Sequence, residues 1–143
     1  MSEAARVFIE DMREGMRAAL EKTFTEDDVL AFAALTGDNN PAHVDADFAA
    51  SSVFGRQVVH GMFTASLISA VLGTKLPGRG AIYVSQTIQF RKPVFIGDTV
   101  RAEVEISAID ARRKRVTLAT RCLVEGKPVL RGEAVVIAPS REG

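Results

Sequence analysis

The chain has 143 residues, of which 47% are hydrophobic and 25% charged, with eighteen Lys and Arg against eighteen Asp and Glu. This is the length of one ordinary domain, expected over 1–143, with enough apolar residues for a core. The balanced charge gives no electrostatic reason to expect nucleic acid or an anionic membrane as partner. Cys122 stands alone, so an intrachain disulfide is excluded. Met1 to Glu14 carries acids and arginines rather than the apolar run of a secretory signal. No apolar stretch approaches the roughly 20 residues of a membrane span, and a cytoplasmic protein is expected.

In chain order, Met16, Ala18, Leu20 and Phe24 recur at period two and predict a half-buried strand over 16–24. Thr25 followed by Glu26, Asp27 and Asp28 reads as a capped helix start, because the threonine hydroxyl can accept from a free backbone N–H. Val29, Phe32, Ala33 and Thr36 continue at helical spacing, and Gly37 can end that helix in a left-handed conformation. A polar loop follows over Asp38 to Asp45, then a short helix over about Ala46 to Ser51 and an irregular stretch to His60. Gly61 to Leu76 predicts a second helix, apolar on most of its circumference, which suits a helix wrapped by other structure. Pro77 to Gly80 is a turn. Four strands follow: Ile82 to Phe90, Val100 to Ile106, Arg115 to Val124 and Val129 to Ile137, with turns at Asp110 to Lys114 and Glu125 to Pro128. Strand, helices, then an antiparallel run define the α+β class.

The chemistry is concentrated in Thr36-Gly-Asp-Asn-Asn-Pro-Ala-His-Val-Asp45. Pro41 fixes its own φ and biases Asn40 away from helix, so the loop between Asp38 and His43 is stiff. A carboxylate and an imidazole held on one rigid loop can converge on a single water and perform acid–base chemistry near neutral pH. Asn40 adds a donor and an acceptor that do not titrate. Spacing alone favours an ordinary turn, since Asp, Asn and Pro are common loop residues and such a histidine is more often a surface or packing residue. With two histidines and one cysteine, a metal site would draw mostly on carboxylates, and none is expected.

The phrase Gly-Asp-x-Asn-Pro-x-His resembles the signature of the MaoC-like hydratases, the (R)-specific enoyl-CoA hydratases. The resemblance runs from about Phe8 to Pro139. It includes Phe8 to Met12 with Gly15, Phe24 to Phe32, Val59-His-Gly-Met62, Ala65 to Leu67, Tyr83 to Phe90 and Arg91 to Asp98. It is similar above all to the short hydratases linked to polyhydroxyalkanoate synthesis.

The resemblance implies a hot-dog fold, an antiparallel sheet wrapped around the central helix. It also implies reversible hydration of trans-2-enoyl-CoA to (R)-3-hydroxyacyl-CoA. Asp38 and His43 would be the catalytic dyad, Asn40 would position groups or substrate, and Gly61 would offer its N–H to the thioester oxygen. Ser69 aligns with a serine that lines the site in relatives, and reads equally as a small packing residue of the helix. His60 and Cys122 read as structural. Cations for the coenzyme A phosphates are available at Lys75, Arg79, Arg91, Lys92 and Arg112 to Arg115, with none singled out. Phe54, Met62, Phe63, Leu67 and Leu72 are equally pocket or core candidates. No cofactor is expected beyond coenzyme A as part of the substrate, and a homodimer with shared sites is expected. Alternatives are a 3-hydroxyacyl thioester dehydratase of fatty-acid synthesis, a hydratase of branched or dicarboxylic enoyl-CoA, a thioesterase, or a non-catalytic acyl-CoA-binding module.

Overall fold

A computed structural model describes residues 5–143. Residues 1–4, which begin the expected domain and the Met1 to Glu14 segment, lie outside the described residues. A single 3-10 turn at Ile9–Asp11 leads into β1 (Arg17–Thr23) and α1 (Glu26–Thr36). Two short helices follow, α2 (Pro41–Val44) and α3 (Ala46–Ala50), then the central helix α4 (Gly61–Thr74). The chain ends with β2 (Ile82–Phe90), β3 (Thr99–Asp110), β4 (Arg115–Val124) and β5 (Lys127–Ile137).

Local chemistry sets the boundaries. The Thr25 hydroxyl accepts from the Asp28 N–H at 3.1 Å, and the Asp28 carboxylate accepts from the Thr25 N–H at 2.9 Å. This reciprocal cap fixes the start of α1 and contributes about 1 kcal/mol. Gly37 ends α1 at φ 82°, a conformation that costs glycine little. The β4–β5 hairpin is tighter than the expected four-residue turn. Glu125 and Gly126 both have positive φ, 52° and 76°, as a two-residue hairpin turn of matching twist demands.

The five strands form one antiparallel sheet in the order β1-β3-β4-β5-β2. Its inner face alternates in sequence: Val100, Ala102, Val104 and Ile106 of β3, and Val116, Leu118 and Cys122 of β4, are all buried. Leu67, Ile68, Val71 and Leu72 of α4 press against that face. Met16, Ala18 and Leu20 pack on the core as their period predicts, and Phe24 is fully buried. On the outer face Glu103 accepts from Arg101 at 2.8 Å and from Arg121 at 2.7 Å. A groove of about 610 Å³ among these charged residues holds none of the motif residues.

The sheet wraps around α4 as expected and leaves one face of the helix open. Met62, Ser66, Ser69 and Gly73, spaced along one face, are exposed. So is much of β2, the edge strand beside β5, which carries exposed Ile82, Tyr83, Val84 and Phe90. Among the described residues, no helix is long and apolar enough to cross a membrane.

Candidate active site

The expected polar loop is in part helical. The Asn40 side-chain oxygen accepts from the Ala42 N–H at 3.0 Å and caps α2, with Pro41 in its first turn. His43 therefore projects from a one-turn helix rather than an open loop. Asn40 acts on His43 through the backbone, and its amide NH₂ group is not needed for the cap. Upstream, the Thr36 hydroxyl donates to the Phe32 carbonyl at 2.7 Å and accepts from the Asp38 N–H at 3.2 Å. This bond and the left-handed Gly37 turn Asp38 back toward α2.

Residues Gln57 to Val59 clamp α2 from the other side. Gln57 donates through Nε2 to the His43 carbonyl at 2.8 Å, and the Val58 N–H donates to the Ala42 carbonyl at 3.2 Å. Val59 N–H in turn donates to Val94 at 2.7 Å and ties the segment to the strand side. The His43 ring donates through Nδ1 to the Val58 carbonyl at 2.7 Å. A carbonyl can only accept, so in the neutral ring the proton sits on Nδ1 and Nε2 carries a free lone pair. The clamp thus selects the tautomer that can act as a base. Gln57 is a site residue that nothing in the local sequence reveals.

His60 is 2% exposed and lies just before α4. Its Nε2 donates to the backbone carbonyl of Asp38 at 2.8 Å, and its ring stacks on His43 with centroids 3.9 Å apart. The carboxylate of Asp38 and one ring nitrogen each of His43 and His60 lie within 4.8 Å of one another. Two sequence-distant segments, 38–43 and 60–61, are thereby brought to one point.

Beside them is a cavity of about 400 Å³ whose lining includes Asn40, His43, Gly61, Thr64, Phe54 and Phe90. It is largely apolar, and Arg91 and Lys92 also border it. Gly61 opens α4, where the first N–H groups have no intrahelical acceptor and the helix dipole is positive. A Cβ at this position would lie 2.7 Å from the Phe90 ring, so only glycine lets that ring close over the helix start.

Among the remaining candidates, Phe54 lines the cavity, whereas Leu67 and Leu72 are core, Phe63 is half-buried against the core and Met62 faces outward. Ser69 is exposed on the open face of α4 and does not line the cavity, nor does Asp38 within one chain. Lys75, Arg79 and Arg112 to Arg115 are also absent from its lining. Cys122 is buried in β4, with its Sγ 3.7 Å from the Thr64 carbonyl, and burial pushes the thiol up to about 12.

One antiparallel sheet packed on a central helix, with polar groups gathered at that helix's N-terminus, defines a hot-dog domain. The MaoC-like domain profile matches residues 8–127. The chain is 51% identical over 134 residues to an (R)-specific enoyl-CoA hydratase of Rhodospirillum rubrum, covering 94% of this chain and 93% of that protein. It is 48% identical to a 3-hydroxybutyryl-CoA dehydratase of Methylorubrum extorquens, covering 95% and 87% of the two chains. The solved structure of an Aeromonas caviae (R)-hydratase involved in polyhydroxyalkanoate biosynthesis superposes with a TM-score of 0.89 at 46% identity, covering 91% of this chain and 99% of that one. The chain belongs to the MaoC-like family.

Proposed function

We propose that the protein is an (R)-specific enoyl-CoA hydratase that adds water reversibly across the double bond of a trans-2-enoyl-CoA. The observation that carries this reading is that the Asp38 carboxylate and a ring nitrogen of His43 lie within 4.8 Å of each other. His43 lines the largely apolar cavity at the start of α4, together with Gly61. The hydratase and dehydratase relatives support the same reaction class.

In this mechanism a water is held between the Asp38 carboxylate and His43 Nε2. Its oxygen attacks C3 of the enoyl thioester while Nε2 takes its proton. Negative charge moves to the thioester oxygen, where the Gly61 N–H and the helix dipole stabilise it. Nε2 then returns the proton to C2 on the same face, giving the (R)-3-hydroxyacyl thioester and leaving both residues as they began. The mechanism so written calls for no metal and no cofactor beyond the coenzyme A of the substrate, and dialysis against a chelator should leave activity unchanged. Arg91 and Lys92 border the cavity where the coenzyme A phosphates would exit.

The active form is proposed to be a homodimer. The open edge of β2 can pair with a second copy, covering its exposed apolar residues and the stripe of α4 that contains Ser69. Phe90 ends β2 and lines the cavity, so this edge adjoins the site. Such pairing brings partner residues to a site that one chain leaves open at Asp38 and Ser69. The single buried cysteine suits a reducing cytoplasm.

The test is hydration of crotonyl-CoA, followed by loss of the conjugated thioester's ultraviolet absorbance, with an (S)-specific 3-hydroxyacyl-CoA dehydrogenase as stereochemical probe. Absorbance loss without NADH or free thiol supports the reading. Release of free coenzyme A points to a thioesterase instead. Asp38→Asn should reduce the rate about 100-fold or more while leaving the oligomer intact. Full activity in that variant would remove Asp38 from the chemistry.

A further inference from the structure

Asp38 and His43 come from different local structures, the turn after α1 and the one-turn helix α2. His60 touches both. Its Nε2 donates to the Asp38 carbonyl at 2.8 Å, and its ring lies 3.9 Å from the His43 ring at an interplanar angle of 26°. Its other nitrogen, Nδ1, is buried and has no hydrogen-bond partner among the described residues. With Nε2 donating to a carbonyl, the neutral ring leaves Nδ1 as an acceptor without a donor.

The ring is fixed from behind by a column of aromatic side chains. Phe32 packs on His60 at 4.7 Å, Phe63 stacks on Phe32 at 4.6 Å, and Phe24, fully buried, meets Phe63 edge-on at 4.7 Å. The column spans α1, α4 and the end of β1, so the position of His60 is set by the core rather than by the surface loop. His60 is also the residue at the N-terminus of α4, yet it makes no side-chain cap there. Its ring donor, Nε2–H, reaches back to Asp38, and the next residue is Gly61.

We infer that His60 is the positioning residue of the site, using its Nε2–H to hold Asp38 and its ring face to hold His43, so that both are referenced to the Gly61 N–H through one buried side chain. This rests on the hydratase reading above. His60 need not touch substrate or exchange a proton. Its effect is geometric, and displacing a catalytic group by about 1 Å can cost about 100-fold in rate.

Two variants separate its two contacts. His60→Phe keeps a ring against His43 and loses the donor. His60→Gln loses the ring and places an amide N–H at a comparable reach from the backbone. The expected result is a fall in kcat of about 10- to 100-fold for His60→Phe with KM within about threefold of the parent, and partial recovery of kcat in His60→Gln. Thermal midpoints are recorded for both, because a merely structural role predicts that activity follows stability.

Parental kcat in a folded His60→Phe, or equal losses in both variants that track their midpoints, would overturn the inference. If neither variant folds, histidine ¹⁵N–¹H spectra of the unaltered protein decide. A protonated Nε2 on His60, slow to exchange, supports the assignment, and a protonated Nδ1 rejects it. Failure of the hydratase reading is recognised separately, because a fully active His43→Asn would remove the dyad whatever His60 does.

Discussion

Replacing His43 by asparagine separates the chemistry of this residue from its structural role. The His43 ring makes two fixed interactions, the Nδ1 bond to the Val58 carbonyl at 2.7 Å and the stack on His60 at 3.9 Å. Asparagine can place its NH₂ where Nδ1 stood and keep the first. It loses the stack, worth about 0.5–1.5 kcal/mol, and leaves some space in a half-buried position. A total cost of about 1–2 kcal/mol lowers the thermal midpoint by about 3–6 °C for a chain of this size. Against a typical folding stability of about 5–15 kcal/mol, the protein stays folded at 25 °C.

Catalysis should respond on another scale. Without Nε2 no group on α2 can take the water proton, and removal of a general base costs about 100- to 10,000-fold. That is about 3–5 kcal/mol in the barrier, well beyond the loss in stability. His43→Ala should be equally inactive but less stable than His43→Asn by about 1 kcal/mol, the worth of the lost hydrogen bond. The assays are initial rates of crotonyl-CoA hydration and thermal unfolding by circular dichroism. An asparagine variant within tenfold of the parental rate would refute the role of Nε2. Equal stabilities of the two variants would refute the Val58 bond, and with it the tautomer argument.

Gly61→Ala should keep the fold within about 1 kcal/mol, because the half-exposed Phe90 ring can swing away from a methyl placed 2.7 Å from it. Hydration kcat/KM should nevertheless fall at least about tenfold, since the methyl and the displaced ring crowd the N–H of the helix start. Gly132→Ala is the opposite case. Its Cβ would lie 1.7 Å from the Thr87 carbonyl oxygen on β2, so backbone must move, and urea unfolding should show a loss of about 3 kcal/mol or more. The Cys122 thiol, raised by burial from 9.0 to about 12, favours the protonated form in the folded state. Its contribution to stability is complete below pH 9 and is lost between pH 9 and about 12. The urea midpoint of the parent should therefore fall more steeply from pH 8 to pH 10 than that of Cys122→Ala, by about 1 kcal/mol in unfolding free energy.

Strand and helix order were legible because their signals are local. Alternation in 100–106 and 16–24 could place only one face on the core, and Thr25 with Asp28 and Gly37 marked both ends of α1. The one-turn helix α2 was not legible as a helix, because four residues are too few for periodicity. Asn40 and Pro41 carry its only signal, and both also read as turn residues. How far the sheet covers α4 was not legible for a related reason. Small residues such as Ser66, Ser69 and Gly73 are compatible with a buried or an open face, and only the sheet's actual extent decides between them.

By itself, the sequence determined the α+β class, the elements in order and the motif from Gly37 to His43 on which the family rests. These follow from short-range sterics, hydrogen-bond capping and the periods of helix and strand. Tertiary structure alone decided that His60 meets Asp38 across 22 positions of chain, that the Val58 carbonyl selects the His43 tautomer, and that Phe90 closes over Gly61. Each is a contact between segments whose separation in sequence carries no information about their distance in space. The packing of α4 on the sheet fixes that distance, and with it the geometry of the site.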